Sequence, residues 1–246
     1  MKSKKPTEYF DEELAAMLAE KVTAIYPGFD GNAFVKEVAE NCAGKRLKQR
    51  VELIADQLHG YLPDDYPKTV NILIQILGPE NHKETGMFSQ FYWLMPVAKF
   101  VEKYGVNYFA ISITAIEEIT KRNTGEYAIR PFIRAYPQQT LEKMQAWANS
   151  DNFHLRRLAS EGLRPKLPWA PKLDLFVEEP KPVFEILENL KEDPIRFVQK
   201  SVANNIADYL KVNPDVATPL IQQWQESTNK HTQWIIKHAT RNHEIV

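Results

Sequence analysis

HLRRLASEGL, residues 154–163, returns in altered form as FVQKSVANNI at 197–206 and HTQWIIKHAT at 231–240. The three stretches share apolar and long polar side chains at 3- and 4-residue spacing, as expected of one helix face repeated. Their offsets are 43 and 34 residues. Periods in that range suit HEAT-like repeats, in which a two-helix hairpin buries its apolar face only by stacking on the next. A second pair agrees. YWLMPVAKFVEKYG at 92–105 and YAIRPFIRAYPQQT at 127–140 share a tyrosine and a proline in register, 35 residues apart.

The same spacing, followed outward, predicts helices near 10–25, 31–42, 46–61, 67–77, 88–104, 107–121, 126–136, 138–149, 153–163, 181–190, 195–211, 215–226 and 230–242. Glycine is scarce, at nine residues, and no run of short alternating strands occurs. The expected fold is all-α, a solenoid of stacked antiparallel helical hairpins with a concave groove; an irregular helical bundle is the alternative. Pro96 and Pro131 fall inside helical patterns, so each should kink its helix or stand in its first turn. RPKLPWAPKLDLFVEEPKP (164–182) breaks the rhythm with five prolines. It reads as a stiff linker, and its Trp169 is either tucked against the core or presented to a ligand. Residues 1–246 read as one helical domain.

Composition narrows the chemistry. A chain of 246 residues buries enough surface to need no staple. Cys42 is the lone cysteine, which excludes an intrachain disulfide or a multi-cysteine metal site and suits a reducing cytoplasm. The opening MKSKKPTEYFDEEL has no apolar signal region, and no run of about 18 apolar residues exists. The six histidines lack metal-site spacing apart from a weak His238…His243 pair. Neither a metal nor another cofactor is expected, and no membrane.

A net charge of −1 conceals a sharp internal contrast. Residues 152–172 carry Arg156, Arg157, Arg164, Lys166 and Lys172 against Glu161 alone, a balance of +4, whereas 173–193 balance at −5. In a hairpin solenoid, successive first and second helices line opposite walls, so the switch predicts one basic and one acidic wall. A basic wall is the footprint of a nucleic-acid backbone; ordinary surface charge is the alternative. Arg130, Arg134, Lys200, Lys237 and Arg241 extend the basic set.

Three acids interrupt that set: Glu126, Glu161 and Asp208. Each has a structural explanation: Glu126 at a helix start, Glu161 paired with Arg157, Asp208 paired with Lys211 or Lys200. A carboxylate facing phosphates is repelled by them, however, so three acids on one wall suggest a cationic target. A base alkylated on a ring nitrogen is cationic, and loss of its sugar bond leaves oxocarbenium character. A nearby carboxylate offsets that charge and orients water without protonating the leaving base.

At these residues the sequence resembles the AlkC-type DNA alkylation-repair glycosylases, of the HEAT-like-repeat DNA glycosylase superfamily. EEITKRNTGEYAIRPFI, NFHLRRLASEGLRPKLPWA and IRFVQKSVANNIADYLKVNPD carry the resemblance, which is closest over about 85–215. It implies hydrolysis of the N-glycosidic bond of cationic methylated bases, mainly 3-methyladenine with 3-methylcytosine as a second candidate. It places the acidic active-site positions on Glu126, Glu161 and Asp208. Some relatives carry a C-terminal immunoglobulin-like domain; this chain ends TRNHEIV, and no such extension is expected. The expected partner is duplex DNA containing alkylated bases, met by a monomer in a bacterial cytoplasm. Arg130, Arg156, Arg157, Arg164, Lys166, Lys200, Lys237 and Arg241 are the expected phosphate contacts, Arg130 being also a candidate to orient Glu126 or Glu161. Tyr92, Trp93, Tyr127, Trp169 and Trp234 are candidates for base stacking, with core packing as the alternative. Other readings are a non-catalytic HEAT-like protein binding branched or damaged DNA, and a protein–protein scaffold.

Overall fold

Helices start in this chain where a side chain or a proline can deal with the unpaired N–H groups of a first turn. Asp11, Asn152 and Asn229 accept hydrogen bonds from the backbone N–H groups of the second or third residue of the helices they cap. Proline opens several others, since its missing N–H costs nothing in the first turn. The computed structural model describes residues 5–85, 88 and 90–242. It is helical, with no strand among the described residues. The chain divides into two compact units, Met1–Ala128 and Ile129–Val246.

The first unit holds α1 (Glu12–Ile25), α2 (Gly31–Asn41), α3 (Leu47–Tyr61), α4 (Tyr66–Gln75), α5 (Met95–Tyr104) and α6 (Phe109–Thr120). Helix α1 packs on α2, α3 on α5 and α4 on α6. Leu18, Val22, Phe34, Ile54, Leu58, Phe100 and Ile116 are buried between them. The pattern over 88–104 becomes a 3-10 turn at Tyr92–Leu94 followed by α5, with Pro96 in the first turn.

The second unit contains α7 (Arg130–Ala135), α8 (Pro137–Ala148), α9 (Phe153–Glu161), α10 (Lys181–Leu190), α11 (Arg196–Val212), α12 (Pro214–Gln225) and α13 (Lys230–Thr240). Helix α11 packs between α9 and α13, so the three related stretches of sequence become successive helices of one layer. Helices α8, α10 and α12 pack against that layer, as second members of HEAT-like hairpins should. Leu158, Val198, Val202, Ile206 and Ile235 fill the space between. The acids Glu185 and Glu188 sit on α10, whereas Arg196, Lys200, Lys237 and Arg241 are exposed on α11, α13 and its end.

The proline-rich linker between α9 and α10 is pinned at several points. Leu167, Leu173, Phe176 and Val177 are buried. Arg134 Nη2 donates to the Lys172 carbonyl at 2.9 Å, and Tyr209 Oη to the Phe176 carbonyl at 3.1 Å. Trp169 points the other way. It is 61% exposed, and its φ of 64° lies in the left-handed region that a bulky residue rarely adopts.

Candidate active site

Helix α9 ends at Glu161, and the chain turns at Gly162 into the linker. The turn is tight: a Cβ on Gly162 would lie 2.9 Å from Ile129 Cγ2 and 3.0 Å from Met144 Cε. It carries Arg164 back beneath α9 and α11. There one guanidinium holds two acids. Nη1 of Arg164 donates to Glu161 Oε1 at 2.7 Å, and Nε donates to Asp208 Oδ2 at 2.9 Å. Arg157 Nη2 lies 3.6 Å from the same Glu161 oxygen. Glu161, Arg164 and Asp208 are all buried.

The two carboxyls are pushed in opposite directions. Burial alone would raise Glu161; the charges of Arg157 and Arg164, with hydrogen bonds from Ser201 and Arg164, outweigh it and hold Glu161 below the usual glutamate range. Burial also raises Asp208, and there Arg164, Lys211 and the Lys166 N–H do not fully offset it. Arg164 between them is held firmly protonated: its two carboxylate partners overcome the desolvation that opposes its charge.

Neighbouring groups fix this geometry. Arg130 is buried, donating through Nη1 to the carbonyls of Gly162 and Arg164 at 3.1 and 2.9 Å and through Nη2 to that of Pro171 at 2.7 Å. Asn205 Nδ2 donates to the Ser160 carbonyl at 2.7 Å, tying α11 to α9.

Glu126 belongs to the first unit. It does not open a helix. Pro131 stands in the first turn of α7, which starts at Arg130, and residues 126–129 form a turn before it. The helix-end rationale for this acid therefore fails. Glu126 is buried and accepts a hydrogen bond from Thr124 Oγ1 at 2.9 Å, while its N–H donates back to the same oxygen at 3.3 Å.

Residues 98–242, more than half of the chain, match the model of the DNA alkylation repair enzyme family. The chain belongs to that family. A curated relative in Bacillus subtilis (strain 168), the uncharacterized protein YhaZ, is 37% identical over 235 residues, covering 95% of this chain and 63% of its own length. Among solved structures, the Pseudomonas fluorescens alkylpurine DNA glycosylase AlkC, bound to DNA containing an abasic site analog, superposes with a TM-score of 0.86 at 36% identity. The match covers 97% of this chain and 64% of that one. The chain thus spans a little under two thirds of either protein.

For a member of this repair family, the fate of the expected phosphate-contacting residues matters, and they divide sharply. Arg164 is consumed by the two acids and Arg130 by backbone carbonyls, so neither presents a free fork to a phosphate. Arg156 is committed as well: Nε donates to Asp193 Oδ2 at 2.6 Å, and Nη1 to the carbonyls of Ser150 and Asp151. Arg157 sits 4.5 Å over the Phe197 ring, beside Glu161. Lys166, Lys200, Lys237 and Arg241 are exposed.

The aromatic candidates divide too. Trp93 is buried, with Lys21 Nζ 4.8 Å from its ring centre, and Tyr92 packs against Tyr9 and Phe10. Tyr127 is half-buried. Trp234 is half-buried and stacked on His238. Of the weak histidine pair, His243 lies outside the described residues. Among the described residues no group of three or more His, Cys, Asp or Glu is placed to hold a metal, and no helix is long and apolar enough to cross a membrane.

Sequence reasoning missed Ser201 and Asn205. A signal was present: 201, 205 and 208 are spaced i, i+4, i+7, one polar stripe on an otherwise apolar helix face. It also missed Asp193, which takes Arg156 out of play from 37 residues away.

Proposed function

We propose that the chain is a monofunctional DNA glycosylase that hydrolyses the N-glycosidic bond of cationic N-alkylated bases, mainly 3-methyladenine, with 3-methylcytosine as a second substrate. It would act as a monomer on duplex DNA in the cytoplasm. The observation that carries this reading is the shared Arg164, which holds two buried carboxylates in one place and in different electrostatic states. Two such groups pushed apart are the usual basis for a division of labour between acid–base partners. Glu161, held as an anion by two arginines, would offset the charge on the sugar as the base departs. Asp208, whose carboxyl burial raises above the ordinary aspartate range, would accept the proton of the attacking water. Glu126 is the third acid to which the family resemblance assigns a catalytic role. The positively charged base leaves without a proton donor, and no lysine is assigned as a Schiff-base nucleophile.

The likeness to AlkC and the family membership support this assignment. The alternative is a non-catalytic protein that binds distorted DNA. It draws on the fact that both acids are already ion-paired and so have a structural use. One assay divides the two. Protein and methylated duplex are incubated together, and free base and bound DNA are measured in the same sample. Glu161→Gln is expected to retain binding and to lower base release by at least ~10², the scale of a positioned electrostatic or acid–base group. Release at the unaltered rate would remove Glu161 from the mechanism, and binding by the unaltered chain with no base release would favour the alternative.

A further inference from the structure

A second charged cluster lies on α11 and α13, built on a column of planar groups. The Arg196 guanidinium carbon is 3.8 Å from the centre of the Trp234 ring, and Trp234 stacks on His238 with centroids 4.7 Å apart and planes 14° apart. Arg196 and Lys200 are one turn apart on α11, and 234, 238 and 241 share a face of α13. Burial and then the charges of Arg241, Lys200 and Arg196 hold the His238 imidazole below its usual value, so the ring feels all three cations. The imidazole Nε2 is buried without a hydrogen-bond partner, which suits a neutral ring serving as a floor.

The contrast with the arginines on and just after α9 is informative. Arg156 and Arg164 spend their forks on Asp193, Glu161 and Asp208. Arg196 and Lys200 are exposed and have no carboxylate partner among the described residues. A guanidinium fixed by stacking, with its donors unspent, loses little freedom when it grips a planar or tetrahedral oxyanion. Three cations with no acid among them match a phosphodiester. With Arg196 over its ring and His238 stacked on it, Trp234 is already engaged, and a base would compete with both.

We propose that Arg196, Lys200 and Arg241 form a phosphate clamp for the DNA backbone, with Trp234 and His238 as its floor. This rests on the DNA-binding part of the function proposed above, and it reassigns Trp234 from base contact to holding an arginine. The test is the salt dependence of binding to a short fluorescent duplex, for the unaltered chain, Arg196→Ala and Trp234→Leu. Both variants should weaken binding about tenfold at low salt. Both should also flatten the plot of log K against log salt by about one phosphate contact, although Trp234→Leu removes no charge. Should Trp234→Leu fail to fold, judged by its melting curve, Lys200→Ala at an exposed position replaces it, with the same expectation.

Weaker binding by Trp234→Leu at an unchanged slope would mean a base contact and overturn the clamp. Variants that bind as tightly as the unaltered chain would also overturn it, leaving the DNA reading intact. Displacement of the duplex by millimolar inorganic phosphate at constant ionic strength would indicate a free-phosphate site instead. No salt-sensitive binding by the unaltered chain would remove both the DNA reading and the clamp.

Discussion

Removing Arg164 would strand two buried carboxylates at once. Breaking a buried ion pair from one side costs roughly 3–5 kcal/mol, because the remaining charge is left uncompensated. Arg164→Leu is therefore expected to be destabilised by at least that amount, read as a lower urea midpoint at neutral pH; an unchanged midpoint would mean the network contributes little. The same residues set the pH response. Glu161 holds its proton less tightly folded than unfolded, so its contribution is whole above the ordinary glutamate value of 4.5 and is lost as pH falls through the lower, folded value. Asp208 runs the other way. Its raised folded value costs stability near neutrality, and that cost is relieved as pH falls through it. Urea titrations from pH 7 down to about 3 should thus give a flatter acid limb for Glu161→Gln and a steeper one for Asp208→Asn. These groups were visible in the sequence as acids amid cations. Their common partner was not, because Arg164 was counted with the phosphate contacts.

At the scale of the element, the chain was readable wherever the signal was local. Apolar spacing and prolines located most helices to within a few residues, although the helix expected from 88 starts only at Met95 after a 3-10 turn, and Pro96 and Pro131 both stand in first turns. The misplaced start over 126–136 has a local cause: Pro131 suits the first turn, and the residues ahead of it close on themselves through Thr124. What periodicity does not report is how closely two elements approach. The α9 turn depends on Gly162 having no side chain between Ile129 and Met144. Gly162→Ala should cost about 1–3 kcal/mol through overpacking and shift the Glu161 end of α9. A fall in urea midpoint together with slower base release would confirm that this turn sets the acid's position; a neutral substitution would show that Ile129 and Met144 can give way.

For the whole molecule, net charge is a poor guide. A chain at −1 with a pI near 6.6 would not be chosen as a DNA binder on that ground. Placement matters more, since Arg196, Lys200, Lys237 and Arg241 are exposed while the acids of α10 belong to the opposite layer. If about four cations meet phosphates, raising salt from roughly 50 to 200 mM should weaken duplex binding by about two orders of magnitude. A salt-insensitive affinity would contradict a backbone-led interface.

The order of the hairpins was written in the chain, because helix formation and stacking answer to spacings of three, four and some forty residues that any window of sequence displays. The fate of each charge was settled elsewhere. Arg164 finds Asp208 across 44 residues, Arg156 finds Asp193 across 37, and Arg130 is turned inward onto carbonyls. A cation's partner is whichever acceptor packing brings within about 3 Å, and packing joins positions whose separation along the chain carries no trace of that distance.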